Sequence, residues 1–435
     1  MLSIISGSIY REGEGAIVSK LCDRSALLSV VSHSLSAYIT TLESLPLQRL
    51  SSRIATEVSM WMCDLFSFPD GQAHCHDDIR EGLVRTVRMV LHDKYPNLVT
   101  EGFLAMASSP PVIYITSRTY TEVGQYVCTQ LGLPASTIRF VCGPEEDQTV
   151  GLEMFQTAVT EDLAGGRTPL MCVANVHSTI FQSQSVGKLQ AVCQENKLWL
   201  HLEGHALSAL ALLPATAQFH HGDSMTLTFG SWIGIPAVPF VTLYNTRISA
   251  ASLAGLGVVN PSVRLGCLPL WCVMRSLGQT QIRARVRAVF QMLEDITEKL
   301  ESIASVRLLS QTGERRTVKI SEVEAGEVEQ DRMFSTVSPA LAFQYISPSP
   351  PSLEARVPPY TDNLNSWLGQ ILQRDAPHIP VEIVDVETTG YVLRLCPFED
   401  VAMVGMSSDD VESFLQVYGL RIPHFQPFYE ILLVS

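Results

Sequence analysis

Between residues 112 and 203 the chain alternates short apolar runs with longer amphipathic ones, and this alternation limits the fold more than any other feature. Val112-Ile-Tyr-Ile-Thr116, Thr137–Cys142, Leu170–Val176 and Leu198–Glu203 read as strands. The segments between them, through Val123–Leu131, Gly151–Leu163 and Gln184–Glu195, carry apolar residues at helical spacing. Gly132 and Pro134 stop the first of these helices, the first by accepting a left-handed backbone and the second by lacking an N–H. Strands apolar on both faces and joined by helices pair in parallel, with helices covering each side of the sheet. Met225–Leu227 and Val238–Tyr244 complete the sheet and admit an antiparallel member. The expected class is α/β.

The flanking sequence divides the chain further. Residues 1–30 mix Gly, Ser and charge without periodicity and read as an irregular lead-in. Apolar residues recur at helical spacing over Leu42–Phe68 and Asp77–Asp93, which opens a large domain over residues 31–265. A long helix from about Leu270 through Ile303 then leads into a second unit over residues 266–435. Within it, Gln311–Arg332 is charged and reads as a surface loop or insertion. The strand Ala340–Tyr345, helix Thr361–Arg374, strands Val381–Val386 and Gly390–Cys396, and helix Ser408–Tyr418 predict a small α+β domain.

Charge excludes some partners. The 435 residues carry a formal net charge of -14, opposite to what phosphate-backbone or anionic-membrane binding requires. Neither nucleic acid nor a membrane is expected as a partner. No apolar run approaches the roughly 18 residues of a spanning helix, and Arg11, Glu12 and Glu14 interrupt any apolar signal segment. Ten cysteines are scattered without a paired framework and read as reduced thiols. An intracellular, cytoplasmic protein is expected.

Several separated motifs occur in a fixed order: His33-Ser-Leu-Ser-Ala-Tyr38, Trp199-Leu-His-Leu-Glu203, Asp223-Ser224 with Trp232, Gly234-Ile-Pro-Ala237 and Leu268-Pro-Leu-Trp271. In these the chain resembles the group II pyridoxal-phosphate (PLP) dependent decarboxylases, over roughly residues 30–420. The resemblance implies the type I PLP fold, with a mainly parallel seven-stranded sheet, a smaller C-terminal domain and a homodimer. It also implies a carboxy-lyase that acts on an amino-acid-like small molecule, with PLP at the carboxyl ends of the strands.

The resemblance assigns positions to each part of such a site. Glu203 takes the place of the acidic residue that holds the pyridine nitrogen, one methylene longer than the family's aspartate; otherwise it pairs with a local donor. His201 matches a histidine often found beside that acid. Tyr120 stands where a ring-stacking histidine is expected, and either stacks on a ligand or packs on the core. Ser178 and Thr179 either anchor phosphate or cap a helix. The position before Trp232, which in the family is the Schiff-base lysine, is Ser231. No lysine occurs between Lys197 and Lys299, and a hydroxyl cannot form an imine. The alternative to a decarboxylase is therefore a pseudoenzyme acting in binding or regulation.

Three other clusters have plainer readings. His74-Cys-His-Asp-Asp78 stands nearest to the family's phosphate-binding turn, but its carboxylates oppose an anion. It is expected to be a solvated turn, with metal binding as the lesser alternative. Ser32-His-Ser-Leu-Ser36 faintly resembles a nucleophile elbow without its glycines. Trp232 and Trp271 are expected to be core aromatics.

Overall fold

The computed structural model describes residues 23–116, 121–141, 148–175, 186–203, 208–213, 222–256, 260–303, 305–309, 319–325, 340–346, 357–376, 379, 381–386, 389–399, 409, 411–416 and 418. The described residues open with two helices, α1 (Arg24–Ile39) and α2 (Ser44–Leu65). Strand β1 (Gly71–His76) and helix α3 (Ile79–Lys94) follow. Strands β2 (Pro111–Ile115), β3 (Ile138–Phe140), β4 (Thr168–Asn175) and β5 (Trp199–Glu203) are separated in turn by α4 (Thr121–Leu131), α5 (Gln148–Ala164) and α6 (Val186–Glu195). Strands β6 (Ser224–Leu227) and β7 (Phe240–Asn245) close the large domain.

These seven strands form one sheet in the order β1-β7-β6-β5-β4-β2-β3. Strands β2 to β6 are parallel, β7 runs antiparallel to β6, and β1 runs antiparallel to β7 at the edge. Side chains alternate faces along each strand. Val112, Tyr114, Leu200, Leu202, Met225 and Leu227 pack on the side of α2, α5 and α6. Ile113, Ile115, Met171, Val173 and Trp199 face α3 and α4, against Leu83, Val87 and Val127.

Helix α7 (Leu268–Glu301) connects to the second unit and is interrupted at Gly278, whose φ of 67° and ψ of 167° are not helical. Strands β8 (Val306–Leu308), β9 (Leu341–Tyr345), β10 (Glu382–Val386) and β11 (Gly390–Leu395) form an antiparallel sheet in the order β10-β11-β9-β8. Helix α8 (Pro359–Asp375) packs on it. Asn365 locks helix to sheet, accepting from the Tyr345 N–H at 2.6 Å and donating to the Tyr345 carbonyl at 3.1 Å. Phe290 of α7 meets Phe398 at 4.8 Å between ring centroids. Among the described residues, no helix is long and apolar enough to cross a membrane.

Two segments differ from the sequence reading. Helix α1 begins at Arg24, inside the stretch read as irregular, because the face it buries is made of Ser25, Ala26, Ser29 and Ser32, not of large apolar residues. The same helix contains the whole of Ser32–Ser36, so no nucleophile elbow exists there. His74, Cys75 and His76 lie in β1 and not in a solvated turn. Both histidines are buried beneath α3, while Asp78 is the N-cap of that helix.

Candidate functional site

Strand periodicity and register assemble a row of polar side chains on the α3 face of the sheet. Along β5, Trp199, His201 and Glu203 share that face, as do Ser224 and Thr226 on β6 and Thr242 on β7. The register sets His201 beside Ser224 and Glu203 beside Thr226; Thr226 in turn faces Thr242, which faces His74. His201, Glu203, Ser224, Thr226, Thr242, His74 and His76 are all buried.

Burial makes each polar atom's partner matter. Trp199 Nε1 donates to Ser224 Oγ at 2.8 Å. Ser224 Oγ lies 2.7 Å from His201 Nδ1, and His201 Nε2 lies 3.1 Å from Glu203 Oε1. A carboxylate only accepts, so Nε2 carries the hydrogen, and in the neutral ring Nδ1 then accepts from the Ser224 hydroxyl. At the other end, His76 Nδ1 lies 2.7 Å from the Asp78 carbonyl, which fixes the proton on Nδ1. The bare Nε2 accepts from the Thr242 hydroxyl at 2.8 Å. Thr226 Oγ1 bridges the halves, 3.3 Å from both Thr242 Oγ1 and His201 Nε2. One chain of hydrogen bonds thus crosses β5, β6, β7 and β1.

The electrostatics agree with neutral imidazoles in β1. Burial pushes His74 down to about 3, with the positive charge of Arg85 and then His76 adding to the effect. Burial likewise lowers His76. Helix α3 closes the row from above. Gly82 sits so tightly that an added Cβ would overlap Thr242 Oγ1 and approach His76 Nε2 to 2.8 Å.

The first turn of α3 is already occupied by charge. Asp78 Oδ1 accepts from the Arg80 N–H at 2.9 Å, and the Arg80 guanidinium forks onto the same carboxylate at 3.1 and 2.8 Å. The Arg80 hydrogen bonds, larger than the opposing effect of burial, hold the Asp78 carboxyl below its usual range. The guanidinium also lies 4.4 Å above the Tyr126 ring.

Ser231 sits in a one-turn helix, Phe229–Trp232, that follows β6. Its Oγ donates to the Thr228 carbonyl at 2.8 Å, so the hydroxyl serves the turn itself. Trp232 is fully buried and packs edge-on against Phe66 and Phe229, as expected of a core aromatic. Trp271 is only partly buried and stacks on Trp61. Asp223 lies at the amino end of β6, away from Glu203. There it accepts from the Leu200 N–H at 2.9 Å and pairs with Arg247, which ties β5 to β6.

Of the residues singled out in the sequence, the structure brings His201 and Glu203 into one network, with Ser231 just beyond the end of β6. Tyr120, Ser178 and Thr179 lie outside the described residues. Thr226 and Thr242 were not singled out as members of the site, and His76 was weighed only within the His74–Asp78 cluster, as part of a phosphate-binding turn or a metal site. Thr226 was detectable as a hydroxyl two residues beyond Ser224, and so on the same face of the strand. Thr242 and His76 meet only through the antiparallel pairing of β1 with β7. Among the described residues, no group of three or more His, Cys, Asp or Glu is arranged to hold a metal ion.

Comparison with known proteins gives this geometry a family. Over 86% of its length the chain is 31% identical to the human putative pyridoxal-dependent decarboxylase domain-containing protein 2, covering 80% of that protein. The chain belongs to this family. It is also 34% identical to the Xenopus laevis pyridoxal-dependent decarboxylase domain-containing protein 1 over 91% of its length, and spans about half of that longer relative (49%). Residues 314–423 match the PDXDC1-like central domain. Catharanthus roseus tryptophan decarboxylase superposes with a TM-score of 0.71 at 15% identity, covering 96% of this chain and 87% of that one. Rhodiola rosea 4-hydroxyphenylacetaldehyde synthase gives 0.71 at 13% identity with the same coverages. This chain thus has the type I PLP fold, a mostly parallel α/β sheet with helices.

Proposed function

We propose that this chain is a non-catalytic member of its family, a decarboxylase scaffold that acts by binding or regulation. The observation that carries this reading is the Ser231 hydroxyl, spent on the Thr228 carbonyl at the position that the family resemblance gives to the lysine. Pyridoxal phosphate supplies an electron sink only when an amine holds it as an imine. Residues 198–298 contain no lysine that could replace that amine.

The start of α3 does not fit the cofactor either. A phosphate at the start of α3 meets the Asp78 carboxylate, already neutralised by Arg80. Behind it, Gly82 rests directly on Thr242 and His76. No reaction step is therefore derived through PLP. A cytoplasmic location goes with this reading, since all eight cysteines of the described residues are free thiols.

Mixing the purified protein with PLP, reducing with borohydride and measuring intact mass tests the proposal. No added pyridoxyl mass and no decarboxylation across a panel of amino acids are expected. A pyridoxyl group fixed to a lysine, together with release of carbon dioxide, would refute it. The second reading is a PLP-binding carboxy-lyase for an amino-acid-like substrate. It is favoured by Glu203, a buried carboxylate at the carboxyl end of β5 where a pyridinium partner belongs. A PLP-dependent rise in melting temperature without covalent attachment would support retained binding.

A further inference from the structure

The cysteines of the described residues include two pairs whose thiols hydrogen-bond each other, Cys172 with Cys193 and Cys75 with Cys267. The first pair is sealed in the core, between β4 and α6. The second stands in the wall of a cavity of about 600 Å³ that opens to solvent between α2, β1 and the turn Leu265–Cys267. Ser52, Thr56 and Ser59 of α2 line the same space.

The fold holds these two sulfurs together from opposite directions in the sequence. Strand alternation turns Cys75 away from His74 and His76 and onto the α2 side of β1. There the outer edge of β1 is tied to α2, since the Ala73 N–H donates to Ser59 Oγ at 2.9 Å. Cys267 immediately precedes α7, and its thiol donates to the Arg264 carbonyl at 2.8 Å. Arg264 Nη1 in turn donates to Ser52 Oγ at 2.5 Å, which fixes this segment on α2. With its own hydrogen spent on Arg264, the Cys267 sulfur accepts that of Cys75. This bond, and then burial, keep Cys75 protonated well above the ordinary thiol range.

We propose that Cys75 and Cys267 form a site of reversible oxidation by a hydroperoxide, which joins the edge strand of the sheet to the start of α7 as a disulfide. Cys267 reacts first, because Cys75 retains its proton. Its sulfur takes one peroxide oxygen as the O–O bond breaks, and the other oxygen leaves with the thiol proton as an alcohol, or as water from hydrogen peroxide. The Cys75 sulfur then displaces the hydroxyl from Cys267, forming the S–S bond, and its proton departs with that hydroxide as water. Two thiols lose two electrons and the peroxide gains them. Access separates this pair from Cys172 and Cys193, which have the same chemistry and no opening.

The full chain, treated with a small excess of hydrogen peroxide, alkylated and digested without reductant, tests the proposal by mass spectrometry. A peptide pair joined through Cys75 and Cys267 is expected, lighter by two hydrogens than the two thiol peptides and returned to them by dithiothreitol. Cys172 and Cys193 should be recovered as thiols from the same digest. Cys75→Ser should leave a sulfenic acid on Cys267, trapped by dimedone, whereas Cys267→Ser should yield neither that adduct nor the joined peptides. The wild-type map stands whether or not either variant folds. Thiols left unchanged at 75 and 267, a disulfide from either of them to another cysteine, or oxidation of Cys172 and Cys193 at an equal rate would each overturn the inference.

Discussion

Thr242 on β7 donates its hydroxyl to Nε2 of His76 on the edge strand β1, across 2.8 Å. Because His76 spends its Nδ1–H on the Asp78 carbonyl at 2.7 Å, the direction of this bond is fixed. One hydroxyl therefore fastens the edge strand to the sheet and the start of α3 to both.

Removing that hydroxyl leaves a buried nitrogen without its donor. Thr242→Val should lower unfolding free energy by about 1–3 kcal/mol, measured by urea denaturation. Thr242→Ser, which keeps the donor, should lose less. Equal losses for both would mean that packing, not the hydrogen bond, holds the edge.

The helix above it should respond in a linked way. Gly82→Ala forces a methyl into Thr242 Oγ1 and His76, an overpacking worth about 1–3 kcal/mol. Adding Thr242→Ala should relieve part of that cost, so the double mutant should be more stable than the sum of the singles implies. Strict additivity in the same denaturation assay would contradict the close approach.

Acid should loosen the sheet edge. His74 titrates at about 3 in the folded protein against 6.5 in an ordinary setting, and His76 is also lowered, burial being the first cause in both. The unfolded chain therefore binds more protons than the folded one between these values. Their contribution is complete above pH 6.5 and is lost as pH falls toward 3, at about 1.4 kcal/mol per pH unit for each fully differing histidine. Replacing His74 with Gln should flatten the stability profile over that window. An unchanged slope would show that His74 is not neutral in the fold.

Restoring the amine should not restore an enzyme. Ser231→Lys supplies the missing nitrogen but leaves Asp78 at the start of α3 and the closed row beneath Gly82. Decarboxylation, followed as carbon dioxide from a panel of amino acids with added PLP, is expected to stay at background. Turnover in this variant would mean that only the lysine had been lost.

The break in α7 calls for glycine. At Gly278 φ is 67° and ψ 167°, a region that costs an L-residue about 1–3 kcal/mol. Gly278→Ala should lower the melting temperature although no atom lies close enough to clash. No change would show that the helix can straighten there.

The sequence by itself determined the α/β class, the alternation of β2 to β5 with α4 to α6, and the absence of an amine at Ser231. These follow from apolar periodicity and side-chain chemistry, which are local. It did not reveal β1, because His74-Cys-His76 looks solvated until β7 and Gly82 enclose it. Nor did it reveal α1, whose inward face of serines hides the helical period. Glu203 could be placed at a strand end, but its link to His76 through His201, Thr226 and Thr242 needs strands distant in sequence to pair in one register. Register is set by the packing of the whole sheet, so only the tertiary structure decided that these side chains form one closed polar row.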